Sequence, residues 1–465
     1  MKLHFFGATR TTTGSKYLLE ANGSKILIEC GLYQGKRFES IEKNRNFDFD
    51  PAQLDCVVLS HAHIDHCGNL PLLCLKGFEG NIYSTFATRD LASIMLEDSA
   101  RIQRADAAFV SKQRAKEGLP PVEPLYTPED AEKSARQFIS MNYYRPMLIA
   151  PGVTLTFYDA GHILGAAQVC LDIVENGKKQ RYLFSGDIGR GDDDILRDPD
   201  SVENVDFLHI ESTYGDRLHS PRKDATEDVY NHVSAALEKN ALVLIPSFSM
   251  GRTQDIVYAL HQLTLEERLA KVPIFVDSPL SVNTTEVYRL HPECFNEEIY
   301  EFLQSGTNPF GMDNLTYIRE VSHSMKLNEV NEPAIIISAS GMCEAGRIRH
   351  HLKNHIGDPN TLVLFIGYCA ADTLGAYILA GNKQVNIFGK PYPVRARIAQ
   401  IDSFSGHADR DELLHYVGNL KGSLKKILVS HGEENQSLAF GEHLKKFKPE
   451  SEIIVPEMGQ SVELS

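Results

Sequence analysis

Four potential metal ligands lie within one hexapeptide of the chain, His61-Ala62-His63-Ile64-Asp65-His66. The apolar run at residues 56–59 directly before it predicts a short buried strand, so the hexapeptide begins where that strand ends. Residues two apart in an extended segment point the same way, which allows His61 and His63 to hold one metal ion. A turn immediately afterwards directs the last two residues toward a second ion. Imidazole suits zinc, and a carboxylate is able to bridge two ions.

Three further histidines and an aspartate follow apolar strands elsewhere in the chain, most of them beside small residues that allow close approach. They are His162 in Ala160-Gly161-His162, Asp187 in Ser185-Gly186-Asp187, His407 in Ser405-Gly406-His407 and His431 in Ser430-His431-Gly432. Any one of them is ordinary in a loop, and a histidine-rich surface loop is the alternative interpretation of the hexapeptide. Together they predict one site assembled from several strand ends.

Three loops rich in serine and glycine are candidates for binding phosphate. Their residues are Ser247, Ser249 and Arg252 in the first loop, Ser338, Ser340 and Gly341 with the following Arg347 in the second, and Gly367 in the third. Backbone N–H groups at helix starts attract anions, and hydroxyl and guanidinium groups add donors. Ordinary turn chemistry explains any single loop equally well. Three such loops on one sheet edge favour a phosphate-binding surface.

Two kinds of secondary-structure pattern surround these residues. Before about residue 210 the chain shows strands and turns, including an Asn22-Gly23 pair that predicts a hairpin. From there to about residue 394 short apolar strands alternate with helical segments, which implies a parallel sheet wrapped by helices. From about residue 395 isolated strands return, each ending at a histidine. We therefore predict an α/β protein, and 465 residues make two domains the natural expectation.

The composition is that of a folded protein, with 42% hydrophobic and 23% charged residues. The formal net charge of −15 argues against a protein that coats nucleic acid, but it allows an enzyme that grips a few phosphates. No apolar run is long enough to span a membrane, and the first residues lack the features of a signal peptide. The eight cysteines form no C-x-x-C pair, which predicts reduced thiols in a cytoplasmic protein.

The His-x-His-x-Asp-His run, together with His162, Asp187 and His431, resembles the metal-binding motifs of the metallo-β-lactamase superfamily. Glu211-Ser212-Thr213-Tyr214-Gly215 and the Ser-Gly-His-Ala-Asp segment around His407 resemble the β-CASP subgroup. That subgroup includes RNase J and the nuclease subunit that cleaves eukaryotic messenger RNA precursors. The resemblance covers essentially the entire chain. It implies an αββα sandwich at residues 1–208 and 393–465, with a β-CASP domain inserted at residues 209–392.

The resemblance also implies a role for each site residue. The first zinc ion would be held by His61, His63, His162 and Asp187. The second would be held by Asp65, His66, Asp187 and His431, with Asp187 bridging. The expected catalytic residues are Asp65, Glu211 and His407. Glu29 stands where the family usually has an aspartate, and we expect it to support metal ligands through hydrogen bonds; an incidental strand-end acid is the alternative. The inserted domain is implied to hold nucleic-acid phosphates.

The predicted function is hydrolysis of RNA phosphodiester bonds at a site with two zinc ions, for which manganese is an alternative. Two ions roughly 3.5–4 Å apart clamp a phosphate and activate a bridging water. His407, oriented by Glu211, would protonate or stabilise the leaving oxygen. The resemblance implies 5′-phosphate and 3′-hydroxyl ends. The expected partner is RNA, the choice between endo- and exonuclease action stays open, and so does a homodimer.

Three other functions are weighed against this one. Hydrolysis of a small ester, thioester or lactam uses the same zinc cluster elsewhere in the superfamily. A DNA nuclease of the Artemis type is the second, although that branch typically has an apolar residue at the position of His431. A non-catalytic scaffold is the third, although such subunits lack several metal ligands. The long insert and the complete set of ligands favour RNA cleavage.

Overall fold

The computed structural model of the chain describes residues 1–35, 37–330, 332–370 and 372–465. The described chain divides into two compact units. The first comprises Met1–Gly191, Arg197–Leu218 and His407–Ser465, and the second comprises Asp192–Leu196 and His219–Gly406. None of the described helices combines the length and the apolar composition that a membrane span requires.

The chain up to residue 210 contains the larger part of the first unit. Its strands are β1 (Lys2–Phe5), β2 (Tyr17–Ala21), β3 (Ser24–Ile28), β4 (Cys56–Val58), β5 (Asn81–Thr85), β6 (Phe138–Met141), β7 (Met147–Ala150), β8 (Val153–Asp159), β9 (Ala167–Glu175), β10 (Lys178–Phe184) and β11 (Phe207–Ile210). Its helices are α1 (Arg37–Arg45), α2 (Ile64–Cys67), α3 (Leu70–Leu75), α4 (Phe86–Lys116) and α5 (Pro128–Ala135), with a 3₁₀ turn at Pro51–Gln53.

The second unit and the end of the first follow. The second unit contains α6 (Ala225–Leu237), β12 (Leu242–Pro246), α7 (Arg252–Leu265), β13 (Ile274–Val276), α8 (Pro279–Leu290), α9 (Glu297–Gln304), β14 (Leu315–Tyr317), α10 (Val321–Lys326), β15 (Ala334–Ser338), α11 (Ile348–His355), β16 (Thr361–Ile366), α12 (Leu374–Leu379), β17 (Gln384–Ile387), β18 (Lys390–Pro393) and β19 (Arg397–Ile401). Its 3₁₀ turns are Arg222–Asp224, Pro292–Cys294 and Leu327–Glu329. The first unit closes with α13 (Arg410–Asn419), β20 (Lys426–Val429), α14 (Glu434–Phe447), β21 (Glu452–Ile454) and β22 (Ser461–Glu463).

Two sheets form the centre of the first unit, with the described strands in the orders β22-β1-β2-β3-β4-β5-β6 and β21-β20-β11-β10-β9-β8-β7. Their facing sides share one apolar core, to which buried Phe5 and Ile26 contribute from one sheet and Phe157 and Phe207 from the other. Helix α4 packs on β5 and β6, and helix α14 packs on β20 and β21. The predicted αββα sandwich is confirmed.

The hairpin between β2 and β3 is the one that Asn22-Gly23 predicts. Asn22 and Gly23 have φ angles of +50° and +79°, the pair of positive values that a type I′ turn requires. The antiparallel register pairs Ala21 with Ser24 at the turn and Tyr17 with Ile28 at the far end. Glu29 therefore leaves the sheet directly beside the start of β2.

A parallel sheet in the order β14-β13-β15-β12-β16-β19 forms the centre of the second unit. Alternate residues of β12 face opposite sides, since Val243 packs in a cluster with α6 and α7 while Leu244 packs with α11 and α12. Both faces of the sheet are thus buried, which explains why its strands read as continuous apolar runs. The predicted βα alternation around a parallel sheet is confirmed.

One strand differs in its placement from the sequence interpretation. Residues 393 onward are predicted to belong to the first domain, but β19 pairs in parallel with β16 throughout Arg397–Ile401. The strand therefore completes the sheet of the second unit, which runs to Gly406. Its half-buried pattern resembles that of an isolated edge strand, so local sequence does not distinguish the two assignments.

Candidate metal centre

The strand ends of both sheets in the first unit bring the predicted metal ligands together. His61 and His63 follow β4, and α2 begins at the next residue, which turns Asp65 and His66 back toward them. His162 follows β8, Asp187 follows β10 and His431 follows β20. The potential ligand atoms form overlapping groups whose members lie within 4.8 Å of one another: His61, His63, His162 and Asp187; Asp65, His66 and His431; and Asp187, Glu211 and His431.

Imidazole nitrogens face each other at short distances in this centre. His63 Nδ1 lies 3.1 Å from His61 Nε2 and 3.1 Å from His162 Nε2. In the other group, His66 Nε2 lies 2.9 Å from His431 Nε2. A neutral imidazole offers one lone pair, and lone pairs that converge in this way suit a shared cation.

Asp187 lies between the two groups of histidines. Its Oδ2 atom is 3.4 Å from His61 Nε2 and 3.3 Å from His66 Nε2, and its Oδ1 atom is 3.4 Å from His431 Nδ1. The side chain is buried, and Oδ1 accepts no hydrogen bond from the described residues. A buried carboxylate oxygen without a donor is costly, and a bound cation would satisfy it. The donor set therefore fits metal binding, and Asp187 is placed to contribute to it from between the two groups of histidines.

Burial keeps three of the histidines neutral. It lowers the pKa of His61 to about 3 and the pKa of His63 to about 4. It also lowers the pKa of His162 well below its ordinary value, and the neighbouring His407 adds to that shift. Only the neutral ring binds a metal, so these side chains are in the competent form at neutral pH.

The two aspartates of the centre are ionised. Burial by itself raises the pKa of Asp187, but His431, His66 and His61 hold it well below the usual range. Burial by itself also raises the pKa of Asp65, but the hydrogen bond with His431 and the charges of the neighbouring histidines together lower it. Two carboxylates therefore provide negative charge to balance divalent cations.

Glu29 lies where its carboxylate can form hydrogen bonds that support the predicted metal ligands. Its fully buried carboxylate lies 2.5 Å from His66 Nδ1 and accepts hydrogen bonds from the N–H and hydroxyl of Ser60 at 2.7 and 3.1 Å. Ser60 Oγ lies in turn 2.9 Å from His61 Nδ1. One carboxylate thus orients a histidine of each group. Ser60 is absent from the sequence prediction because serine after a strand carries no distinctive signal.

Glu211 and His407 form a pair at the edge of the centre. The buried Glu211 carboxylate accepts a hydrogen bond from Ile188 N–H at 2.6 Å, and its oxygens lie 3.2 and 3.3 Å from His407 Nδ1. His407 Nδ1 is 3.9 Å from Asp187 Oδ2. Burial lowers the pKa of His407, but Glu211, together with Asp187 and Asp65, raises it to about 9. His407 therefore carries a proton at neutral pH.

Comparison with known proteins finds family models and relatives that match most of the chain. A Metallo-beta-lactamase superfamily domain model matches residues 18–201, a Beta-Casp domain model residues 253–378, and a Zn-dependent metallo-hydrolase RNA specificity domain model residues 391–456. Ribonuclease TTHA0252 of Thermus thermophilus is 36% identical over 96% of each chain. The chain belongs to the β-CASP family of the metallo-β-lactamase superfamily. It is a metal-dependent hydrolase of that family.

Other relatives agree with the assignment to the β-CASP family. The RNase J-like protein of Methanocaldococcus jannaschii is 31% identical over 94% of each chain. Transcription termination factor FttA of the same organism is 29% identical over 96% of this chain and 69% of that protein. A crystal structure of a protein of unknown function from Enterococcus faecalis V583 covers all of this chain with a TM-score of 0.55 at 14% identity. That likeness shows the fold alone.

The predicted phosphate loops of the β-CASP part leave three adjacent strands, β15, β12 and β16, at their carboxyl ends. All four serines make local hydrogen bonds, which for Ser249 Oγ join Ser278 Oγ at 3.3 Å and for Ser340 Oγ the carbonyl of Ala345 at 3.4 Å. Ser247 Oγ accepts from Thr253 Oγ1 at 3.2 Å and donates to the carbonyl of Phe248, and Ser338 Oγ donates to the carbonyl of Asp277 at 2.8 Å. The hydroxyl groups of Ser247 and Ser338 therefore donate to backbone carbonyls within the second unit.

Arg347 has partners inside the second unit that the sequence does not reveal. It donates to Asp277 Oδ1 at 2.7 Å and to the carbonyls of Ile318 and Arg319 at 3.2 and 2.6 Å. The fully buried Asp277 also accepts from His351 and Ser324. These contacts assign Arg347 to anchoring the loop, in place of the predicted direct grip on phosphate. Asp277 directly follows β13, so the same strand-end position that identifies the metal ligands could have identified it from the sequence.

Most of the remaining predicted phosphate-binding residues lie at partly exposed points of the loops, whereas Gly341 is buried. Ser249, Ser340 and Gly367 are partly exposed, and a side chain added at Gly367 would meet open space. A side chain added at Gly341 would contact the ring of Phe248 at 2.9 Å. Arg252 begins α7, where its charge acts on Asp255.

Proposed function

We propose that this chain hydrolyses RNA phosphodiester bonds at a centre of two zinc ions. The observation that carries the proposal is the position of Asp187, which is buried between two groups of potential metal ligands. One of its carboxylate oxygens accepts no hydrogen bond from the described residues. His61, His63 and His162 would hold one ion with Asp187, and Asp65, His66 and His431 would hold the other. The zinc-dependent family supports this choice of metal; manganese is the alternative.

Bound zinc ions would supply Lewis acidity for the attacking water and for the phosphate charge. The chain's own contribution is a proton donor. His407 is charged beside Glu211, and its side chain is 22% exposed, so it is accessible from solvent. Transfer of its proton to the 3′-oxygen as the P–O bond breaks leaves a 3′-hydroxyl and a 5′-phosphate. Glu211 holds the ring and stabilises its positive charge.

RNA is the substrate that the relatives favour. Two relatives that span nearly the whole chain are named as a ribonuclease and as RNase J-like. All seven ligand positions of the centre carry a ligand-type residue, including His431, which argues against the DNA-cleaving branch and against an inactive scaffold. We further propose that Ser249, Ser340, Gly341, Gly367 and Arg252 bind backbone phosphates along the carboxyl edge of the β-CASP sheet. A few local contacts suffice, in keeping with a net charge of −15.

A reducing compartment fits the thiols of this chain. The cysteines at all eight positions are free, and burial raises the pKa of four of them, Cys30, Cys56, Cys74 and Cys170, to about 12. Such thiols are unreactive and need no oxidising environment. We therefore propose a cytoplasmic enzyme, and sedimentation decides whether it forms the homodimer that the sequence leaves open.

The test is a cleavage assay with purified, zinc-loaded protein. The substrates are RNA and DNA of one sequence, each labelled at the 5′ or the 3′ end, and a chromogenic ester. We expect cleavage of RNA, with 5′-phosphate and 3′-hydroxyl ends, to be abolished by chelator and restored by zinc. Preferential cleavage of DNA, or turnover of the ester alone, would contradict the proposal. The pattern of labelled products separates endonuclease from exonuclease action.

A further inference from the structure

Four polar side chains are buried in the apolar core between the two sheets of the first unit. They are Tyr17 on β2, Tyr182 on β10, His209 on β11 and Ser430 at the end of β20, and each is 0% exposed. Aromatic rings surround His209, including Phe5 at 5.3 Å and Phe184 at 4.9 Å between ring centroids. Polar groups in such a position are retained only where each finds a partner.

The four groups form one continuous chain of hydrogen bonds. Tyr182 Oη lies 2.8 Å from His209 Nδ1, His209 Nε2 lies 2.6 Å from Ser430 Oγ, and Ser430 Oγ lies 3.0 Å from Tyr17 Oη. Burial lowers the pKa of His209 to about 3, so the ring is neutral and has one donor and one acceptor nitrogen. Each of the four side chains can therefore find a hydrogen-bond partner among the others, and these partners fix its orientation.

Two neighbouring members of this series of hydrogen bonds, Ser430 and Tyr17, lie beside residues of the metal centre. Ser430 directly precedes His431, whose backbone has a φ of +51°, a value that few residues other than glycine adopt. Tyr17 pairs with Ile28 across the β2–β3 hairpin, directly before Glu29. The first sheet carries Glu29 and His66, and the second carries His431. The Tyr17–Ser430 contact thus joins the two sheet edges between which His66 and His431 approach to 2.9 Å.

Hydrogen bonds hold the backbone of His431, whose carbonyl accepts from Ser212 N–H at 3.1 Å and from Thr213 Oγ1 at 3.2 Å. Its N–H donates to the carbonyl of Ala8 at 2.7 Å, and Ser430 N–H donates to the carbonyl of Ile210 at 3.0 Å. The strained φ at His431 must be held by its surroundings. Thr213 Oγ1 lies 3.2 Å from His431 Nδ1, and on the preceding residue the hydroxyl of Ser430 is held by Tyr17 and His209 from opposite sheets.

We propose that Tyr17, Ser430 and His209 are positioning residues that fix His431, and with it the second metal ion, relative to the ligands of the first sheet. The inference rests on the proposed two-metal function. It predicts that loss of a single buried hydroxyl, distant from any substrate, selectively weakens the ion held by Asp65, His66 and His431. The first ion, held by His61, His63 and His162 with Asp187, does not depend on this contact.

The experiment compares Tyr17→Phe and Ser430→Ala with wild type and with the control Tyr126→Phe. Tyr126 is also buried, at 1% exposure, and its hydroxyl donates to Ser99 Oγ at 3.0 Å outside the centre. Metal-free protein is titrated with zinc against a chromophoric chelator, and the visible spectrum of the cobalt-loaded protein reports the geometry of each site. Chemical unfolding of every metal-free variant measures the general loss of stability.

We expect Tyr17→Phe and Ser430→Ala to bind the ion of Asp65, His66 and His431 about 10-fold less tightly, with the affinity for the other ion unchanged. Tyr126→Phe should keep both affinities even where its stability falls by a similar amount. Wild-type affinities for both ions in Tyr17→Phe would overturn the inference, as would equal weakening in the control. If Ser430→Ala fails to fold, Tyr17→Phe decides. A wild-type protein that binds fewer than two ions would instead overturn the proposed function itself.

Discussion

At the scale of single residues, Glu29 shows how one side chain can orient several predicted metal ligands. Its carboxylate contacts both His66 and Ser60, and through Ser60 it orients His61. A glutamate reaches one methylene further than the aspartate usual in the family, and the buried geometry accommodates that length without losing either contact. The identity of the acid therefore matters less than its charge and its reach.

Replacing Glu29 tests that view. Glu29→Gln keeps the shape but removes the charge that accepts from His66, so we expect zinc affinity to fall by about 10- to 100-fold. Glu29→Asp restores the residue type usual in the family and should keep most of the affinity. Zinc titration against a competing chelator measures both. Unchanged affinity in Glu29→Gln would refute a supporting role.

The proton donor is testable with leaving groups of different basicity. We expect His407→Ala to slow RNA cleavage by about 10² to 10⁴-fold, because the 3′-oxygen leaves poorly without a proton. A phosphodiester with a p-nitrophenyl leaving group needs little protonation, so its cleavage should slow much less. Zinc content, measured in parallel, should stay at the wild-type level. An equal loss on both substrates would assign His407 to another role.

At the scale of elements, strand ends explain most of what the sequence predicts. The hexapeptide at residues 61–66 and the ligands His162, Asp187 and His431 are recognisable because each has an unusual residue type after an apolar strand. Ser60 and the buried chain of Tyr17, Ser430 and His209 are not recognisable, since their partners are remote in sequence and depend on how two sheets face each other. The Asp277–Arg347 pair is likewise not recognisable from the sequence, because its members are 70 residues apart.

Asp159, at the end of β8, predicts a pH-dependent stability. Burial, with Asp200 adding to it, raises the pKa of Asp159 to about 7, against about 3.9 in the unfolded chain. The folded state therefore binds this proton more tightly, and its contribution to stability falls as pH rises from about 4 to about 7. Asp159→Asn keeps an acceptor for Gly161 N–H. The variant should gain up to about 4 kcal/mol over wild type at pH 8.

Equilibrium unfolding in urea at several pH values between 5 and 8 measures that difference. The advantage of Asp159→Asn should shrink steadily toward acidic pH, because the wild-type carboxyl is then protonated in the folded protein. Asp172→Asn is a suitable control, since Asp172 pairs with Arg181 at a partly exposed position of β9. A pH-independent difference between Asp159→Asn and wild type would contradict the account.

The loop of the β-CASP unit that contains Arg347 yields a prediction of a different kind. Arg347→Ala leaves the buried Asp277 carboxylate without its arginine, and breaking such a pair costs about 3–5 kcal/mol. We expect lower stability in urea unfolding, with the salt dependence of RNA binding unchanged in the folded variant. A shallower salt dependence at wild-type stability would restore Arg347 to the phosphate-binding residues.

At the scale of the whole molecule, the first unit contains every residue of the candidate metal centre, although the chain leaves that unit and returns to it. His407 and His431 are contributed after the return, which explains why the centre is spread over 371 positions, from His61 to His431. The order of the segments follows from the family, and the predicted limits of the insert at residues 209 and 392 stay a prediction. The compact second unit runs from His219 to Gly406, with Asp192–Leu196 added.

Metal content is the measurement that tests the central claim most directly. Elemental analysis of protein purified without chelator should give about two zinc ions per wild-type chain. Asp187→Ala should bind fewer than one and cleave no RNA, while Asp172→Ala, outside the centre, keeps the wild-type values. Circular dichroism confirms that each variant is folded. A wild-type protein that neither contains nor takes up a transition metal, or an Asp187→Ala variant with two bound ions, would contradict the account.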